Sequence, residues 1–355
     1  MKALVLYGYN QPLRLEDVPR PRASGTSVVV RVVGSGVCHS DVHLWRGELE
    51  ALVPPTFPLI LGHEVSGVVE EVGELVPPDI QPGMEVLVYW AYCERDDKYA
   101  LRGLYQLCGL RAGAGIALYN GGFAEYMLVP HYRYLVPAHG LQDLEAAAVL
   151  ADAGVTALRA VKKIIGEVEE DEYIAIVGLG GVGIFGLQLA RLLTGARIIG
   201  IDVRRDKIEL ASKVAKLTKH DVLINAAEVE DVRRAIYEAT GGETLKAVID
   251  FVGTEKTIET YIDLLSPLGV YVLVGLGSEY GPRIPIHKFV LNELNIKSVL
   301  YGSYRDLVNL VDLARRGLVN YWDVVTKIRP EDANEALLKL ARGEAPARQV
   351  IVFRS

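Results

Sequence analysis

Cysteine, methionine and tryptophan each occur only three times in 355 residues. So few cysteines in so long a chain exclude a disulfide framework. Cys93 and Cys108 can still pair in a host that tolerates internal disulfides. An excess of positive charge is also missing, with 38 basic residues against 45 acidic ones and a formal net charge of −7. That balance gives no reason to expect a nucleic-acid or acidic-membrane partner. A long uninterrupted apolar run is absent too. The segment from Tyr173 to Leu193 is apolar, but its glycine cluster separates a short β-rich run from a helical run carrying Gln188 and Arg191. Neither piece reaches the ~20 residues of a membrane span. Met1 to Tyr7 reads as a strand, without the apolar core of a secretory leader. The expectation is a soluble, cytoplasmic protein. Asn and Gln are scarce while Tyr is abundant, a composition of thermophilic type.

Apolar material is plentiful at 50%, enough for two cores. Up to about residue 150 the chain is rich in short β runs: Val28 to Val33, Gly67 to Val72 and Glu85 to Val88. Pro54-Pro55, Pro77-Pro78 and Pro82-Gly83 punctuate them. This pattern predicts a mostly antiparallel β domain. From about 155 the rhythm changes. Strands are predicted at 174–177, 197–202, 222–224, 247–251 and 271–274, with helices at 183–193, 206–217, 231–240 and 256–265 between them. Successive β-α units demand a parallel sheet. An edge strand is expected at 295–300. The tail reads as helices at 304–316 and 333–342 and a strand at 349–353, packed back on the first domain.

Gly178-Leu179-Gly180-Gly181-Val182-Gly183 follows an apolar strand and opens a helix. That context makes it a dinucleotide loop. Its glycines allow a tight turn and close approach of backbone to a pyrophosphate, which the helix N-terminus then attracts. The next strand ends at Asp202, whose carboxylate can accept from both ribose hydroxyls and repel a 2′-phosphate. NAD is therefore expected over NADP, although Arg204 and Arg205 stand close enough to help hold that phosphate. The alternative is a glycine-rich turn that binds nothing.

Cys38 offers a thiolate, His63 an imidazole and Asp152 a carboxylate. Three such donors and one open position make a catalytic zinc site. Taken singly, Cys38 reads as a buried small residue, His63 as structural and Asp152 as a helix cap. Jointly they favour the metal.

Gly62-His63-Glu64, followed by Gly67, Gly73 and Val76, resembles the signature of the zinc-containing alcohol dehydrogenases. The resemblance runs the length of the chain and is to the medium-chain dehydrogenase/reductase superfamily, most closely its microbial zinc enzymes. It implies a two-domain α/β fold. A GroES-like catalytic domain (1–153) would precede a doubly wound Rossmann domain (154–302), and 303–355 would return to the catalytic domain, with the active site in the cleft between the two. It makes Cys38, His63 and Asp152 ligands of one catalytic Zn²⁺, with Glu64 an alternate ligand and Asp41 orienting the His63 ring. Ser40 and His43 resemble the proton relay. His39, Thr156, Gly178, Gly180, Gly181, Val182, Gly183, Asp202, Lys207 and Arg348 match cofactor contacts, His39 and Arg348 on the pyrophosphate side. Trp90 falls on a wall of the substrate pocket, or else is plain core packing.

The implied reaction is reversible hydride transfer between an alcohol and NAD, giving a ketone or aldehyde, in a homotetramer or a dimer. Rival readings are a polyol dehydrogenase, a zinc-free quinone-type reductase and, from another class, a non-catalytic nucleotide-binding protein. One departure stands out. Many relatives hold a structural zinc with four cysteines, but the matching positions here are Glu94, Asp97, Ala100 and Cys108. Alanine donates nothing, so no second zinc is expected.

Overall fold

The computed structural model describes residues 1–284 and 286–353. Two compact units divide the chain. The first takes Met1–Val155, Gly302–Gly317 and the residues from Val325 onward; the second takes Thr156–Tyr301 and Leu318–Val324. The expected boundaries at 153/154 and 302/303 each move by one or two residues. The larger correction concerns the tail, since 318–324 does not return with its neighbours to the first unit. Gln188 accepts from the Asn320 N–H at 2.8 Å and donates to its carbonyl at 3.1 Å, which ties that segment to the second unit.

The chain opens with β1 (Lys2–Leu6), β2 (Arg14–Asp17), β3 (Val28–Val37), α1 (His39–Arg46), β4 (Leu59–Ile60), β5 (Glu64–Val72), β6 (Glu85–Val88), β7 (Tyr126–Val129) and β8 (Leu135–Pro137). Helix α2 (Ala153–Lys162) starts in the first unit and ends in the second. Then come β9 (Tyr173–Val177), α3 (Gly183–Leu193), β10 (Arg197–Asp202), α4 (Arg205–Val214), β11 (Val222–Asn225), α5 (Val232–Ala239), β12 (Leu245–Asp250), α6 (Glu255–Ile262), β13 (Leu265–Leu273), α7 (Ile286–Asn292) and β14 (Asn295–Ser298). The tail supplies α8 (Tyr304–Arg315), β15 (Val325–Ile328), α9 (Ala333–Ala341) and β16 (Arg348–Ile351). Helix α4 stops three residues short of its expected end. Lys216 has a φ of 48°, a left-handed conformation that breaks the helical ladder.

In the first unit, β2-β1-β4 form a small sheet and β15-β16-β3-β5-β6-β8 a larger one, with β7 also paired to β3. Nearly all pairings are antiparallel; β15 and β16 are parallel. Strand β3 is the spine. Its valines at 28, 29, 30 and 32 are buried. Beyond them stand Gly34 and Gly36. A Cβ on Gly34 would sit 2.3 Å from the Glu145 carbonyl, and one on Gly36 would sit 2.0 Å from Glu64 Oε2. The missing side chains therefore let the Glu145 carbonyl and the Glu64 carboxylate pack against the strand. Tail strand β16 pairs antiparallel with the same stretch, Val350 opposite Gly36.

In the second unit the order β11-β10-β9-β12-β13-β14 is parallel throughout. All five residues of β9 are buried. Such an apolar run is what a strand covered on both faces requires. Sequence order reverses on either side of β9, and that switch point is where an open α/β sheet binds ligands.

Candidate active site

Both carboxylate and thiol donors of the first unit are placed by backbone turns. Cys38 lies just before α1, a position where the helix N-terminus favours a thiolate. Asp41 is fully buried. Its Oδ2 accepts the Cys38 N–H at 2.8 Å and its Oδ1 the Gly62 N–H at 3.3 Å. Gly62 has a φ of 92°, a value that favours glycine. Asp41 thus knots the Cys38 turn to the turn carrying His63. Its Oδ1 also lies 3.4 Å from His63 Nδ1, at ion-pair distance but without hydrogen-bond geometry.

The donor atoms of Cys38, His63, Glu64 and Asp152 all lie within 4.8 Å of one another, and all four residues are buried. Asp152 Oδ2 is 3.6 Å from Cys38 Sγ and 3.6 Å from His63 Nε2. Zinc bonds of about 2.0–2.3 Å in a tetrahedron put donors roughly 3.3–3.8 Å apart, so these separations fit one ion. The charges agree. Burial pushes the Cys38 thiol up, with Asp152 and Glu64 adding to the effect. Burial also raises Glu64 to about 7, with Arg348 opposing. Burial works against charge on His63, yet Asp41, Asp152 and Cys38 hold its pKa well above the ordinary value. Asp152 is held low despite burial, by His63 and Trp90. A divalent cation would relieve the repulsion among such donors on binding. Glu64 Oε1 has no hydrogen-bond partner among the described residues. This donor chemistry fits zinc.

Two placements depart from expectation. Arg348, matched to a pyrophosphate contact, is buried in β16 and paired with Glu64. Trp90, matched to a pocket wall, is only 6% exposed; its Nε1–H donates to Asp152 Oδ1 at 3.0 Å and its ring meets His63 edge-on at 5.5 Å. Nothing in the sequence pointed to that bond, because 62 positions separate the partners. Ser40 Oγ lies 3.7 Å from Cys38 Sγ. His43, half-buried on α1, pairs with Glu48, and its ring is 5.3 Å from that of exposed His39. In the lobe, Cys93 and Cys108 are joined as a disulfide with Cα atoms 5.5 Å apart. Asp97 spends its Oδ1 on the N–H groups of Tyr99 and Ala100.

The second unit carries the other half of the chemistry. The turn from β9 to α3 is shaped by its glycines. Gly178 has a φ of 83°. A Cβ on Gly183 would stand 1.7 Å from the Gly178 carbonyl, so only glycine lets the helix start there. A Cβ on Gly180 would meet nothing within 4 Å; it faces open space, as a phosphate cradle must. Gly181 and Val182 are half-buried in the same turn, and Thr156 is half-buried on α2. Asp202 Oδ2 accepts the Leu179 N–H at 2.7 Å and Oδ1 the Arg204 N–H at 2.9 Å. The Arg204 guanidinium clasps Asp206 through Nε and Nη2. Lys207 is buried beside them, its pKa lowered by burial and by Arg204.

A doubly wound parallel sheet with this loop, in one chain with a Cys-His-carboxylate donor set, defines a metal-dependent nucleotide dehydrogenase. Comparison with known proteins narrows the class. Residues 24–140 match the family "Alcohol dehydrogenase GroES-like domain" and residues 181–316 match "Zinc-binding dehydrogenase". The NAD-dependent alcohol dehydrogenase of Sulfurisphaera tokodaii is 36% identical, covering 99% of this chain and 100% of that protein. The D-arabinose 1-dehydrogenase (NADP(+)) of Saccharolobus solfataricus is 32% identical over 99% of this chain and 97% of its own. Among solved structures, the alcohol dehydrogenase from the hyperthermophilic archaeon Aeropyrum pernix superposes with a TM-score of 0.90 at 35% identity, covering 99% of this chain and 100% of that one. The chain belongs to the alcohol dehydrogenases of the medium-chain dehydrogenase/reductase superfamily. It is an oxidoreductase of that type.

Proposed function

We propose that this chain is a zinc-dependent alcohol dehydrogenase, reversibly moving hydride between a small alcohol and NAD to give a ketone or aldehyde. The observation that carries the reading is the buried quartet Cys38, His63, Glu64 and Asp152, drawn within 4.8 Å. Cys38, His63 and Asp152 hold the metal, and Glu64 stands beside it as an alternate ligand. When bound, zinc supplies a Lewis acid for the alcohol oxygen, and NAD supplies the hydride acceptor. Ser40 would accept the alcohol proton as it gives up its own, and His43, paired with Glu48, would carry a proton on to solvent. Gly180, Gly181, Val182 and Gly183 offer the pyrophosphate their backbone, while Gly178, whose N–H is given to the Ile201 carbonyl at 2.8 Å, shapes the turn. Asp202 and Lys207 hold the adenosine ribose, and Thr156 contacts the nicotinamide. Asp202 repels a 2′-phosphate and the Arg204 guanidinium is engaged by Asp206, which supports NAD over NADP. Trp90 stands against the donor cluster, its ring on His63 and its N–H on Asp152.

No helix among the described residues is long and apolar enough to cross a membrane. A cytoplasmic homotetramer from a heat-adapted host is the wider proposal. It is supported by composition and by the hyperthermophilic source of the Aeropyrum pernix structure, and sedimentation and thermal inactivation test it. For the activity, zinc per subunit is measured alongside NAD and NADP turnover on simple alcohols, ketones and sugars. One zinc per subunit and faster NAD-linked turnover of an alcohol are expected. Full activity in zinc-free protein would overturn the reading.

A further inference from the structure

We propose that Trp90 is a positioning residue for the carboxylate of Asp152, fixing which of its two oxygens faces the metal donors. The inference rests on the zinc reading above and adds a residue to it. A thiolate or an imidazole nitrogen presents a single donor atom, whereas a carboxylate presents two and can turn. In this pocket the two oxygens are unequal. Oδ1 accepts the indole N–H at 3.0 Å. Oδ2 lies 3.6 Å from Cys38 Sγ and 3.6 Å from His63 Nε2. Turning the carboxylate would break a charge-assisted hydrogen bond to a buried donor.

The indole itself is held. Trp90 follows β6 in a buried run from Val86 to Cys93. Its carbonyl accepts the Ala114 N–H at 3.0 Å. Gly113 leaves the ring its room, since a Cβ there would lie 2.9 Å from Trp90 Cε3 and Cζ3. The ring edge packs on His63, with centroids 5.5 Å apart and planes at 68°. One rigid side chain therefore touches two donor residues, by a hydrogen bond to Asp152 and by packing on His63. Opposite a cysteine the indole would meet a single sulfur and have no second oxygen to hold aside, so its orienting role is specific to an aspartate. Partners of metal ligands typically set affinity by about 10–100-fold.

The test is a zinc titration of the full-length protein, freed of metal by a chelator and titrated against a competing indicator under nitrogen. Four forms are compared: wild type, Trp90→Phe, Asp152→Cys and the double variant. Phenylalanine keeps the ring against His63 and removes the donor. We expect Trp90→Phe to weaken zinc binding by about 10-fold or more in the Asp152 background and to have little effect in the Asp152→Cys background. Equal losses in both backgrounds would mean that Trp90 acts by packing alone and would overturn the inference, leaving the zinc reading intact. A wild-type chain that binds no zinc would overturn both. Should Trp90→Phe fail to fold, hydrogen exchange of the Trp90 indole N–H decides. It is expected to be slow in wild type and faster in Asp152→Cys; equal rates would overturn the proposal.

Discussion

The carboxylates of the two units live under opposite conditions. In the first unit Glu64 and Asp152 are buried beside a thiol, and Glu64 Oε1 has no hydrogen-bond partner among the described residues. In the second unit Asp250 is equally buried but fully served. Its Oδ1 accepts the N–H groups of Val252 and Gly253 at 2.8 and 3.0 Å, and its Oδ2 the hydroxyls of Thr257 and Tyr271 at 2.7 and 2.8 Å. Asp202 is likewise met by two backbone N–H groups. The contrast teaches what each unit is built to receive. A site for a cation concentrates anionic donors and leaves an oxygen such as Glu64 Oε1 unmet. A site for a dinucleotide satisfies its own acids and offers backbone and empty space.

Replacing a donor on the unmet side gives the largest effect. Cys38→Ala is expected to abolish zinc binding and cut turnover by about 10³-fold or more, since a Lewis acid contributes several kcal/mol. The zinc-free forms of wild type and variant should melt close together, because the thiol is a burden without its ion. A large fall in the zinc-free melting temperature would blur the contrast.

The glycine loop offers the next break. Gly183→Ala places a methyl against the Gly178 carbonyl and should cost about 3 kcal/mol, as overpacking does; thermal unfolding reads it. Gly180→Ala points into open space. It should leave the melting temperature unchanged while raising the dissociation constant for NAD, measured by calorimetry. If both variants behaved alike, the loop would be a plain structural turn.

Asp250→Asn sharpens the satisfied side. It trades charge-assisted bonds for neutral ones and should cost about 2 kcal/mol, a fall of roughly 4–8 °C. Zinc content should stay at the wild-type value. The smallest effect belongs to an acid of the first unit that is satisfied at the surface. Lys327 pairs with Asp143 at 2.8 Å and with Glu145 at 2.6 Å. Burial opposes charge on Asp143, but Lys327 and the Ala146 N–H hold its pKa below the ordinary value. A depressed carboxyl stabilises above its unfolded pKa and loses that stability as pH falls through the folded one. Lys327→Met should therefore flatten the acid limb of the stability profile by no more than about 1 kcal/mol.

Much of this was legible in the sequence, for reasons that differ by element. Strands β6 and β10 and helix α3 begin and end where the residues said they would, because an apolar period bounded by glycine, proline or charge is a local signal. The short helices α1 and α7 were not foreseen. Neither carries a full core-facing stripe: α1 buries only Asp41, Val42 and Leu44, and α7 buries none of its residues. In the site, the approach of Cys38 to His63 and Asp152 could be inferred only from the joint donor set and a family resemblance, since pairing across 114 positions leaves no local trace. The Trp90–Asp152 bond and the burial of Arg348 against Glu64 were invisible for the same reason. They depend on where β6 and β16 lie, which only tertiary pairing decides.

One feature of the tail reaches beyond the folded state. Strand β16 seals the seam at Ser35, Gly36 and Val37, more than 300 positions earlier in the chain. During synthesis those residues leave the ribosome long before their partner exists. The whole second unit is translated in the interval. The first unit to be made is thus the last to be finished, and Glu64 waits beside an open edge until Arg348 arrives to neutralise it.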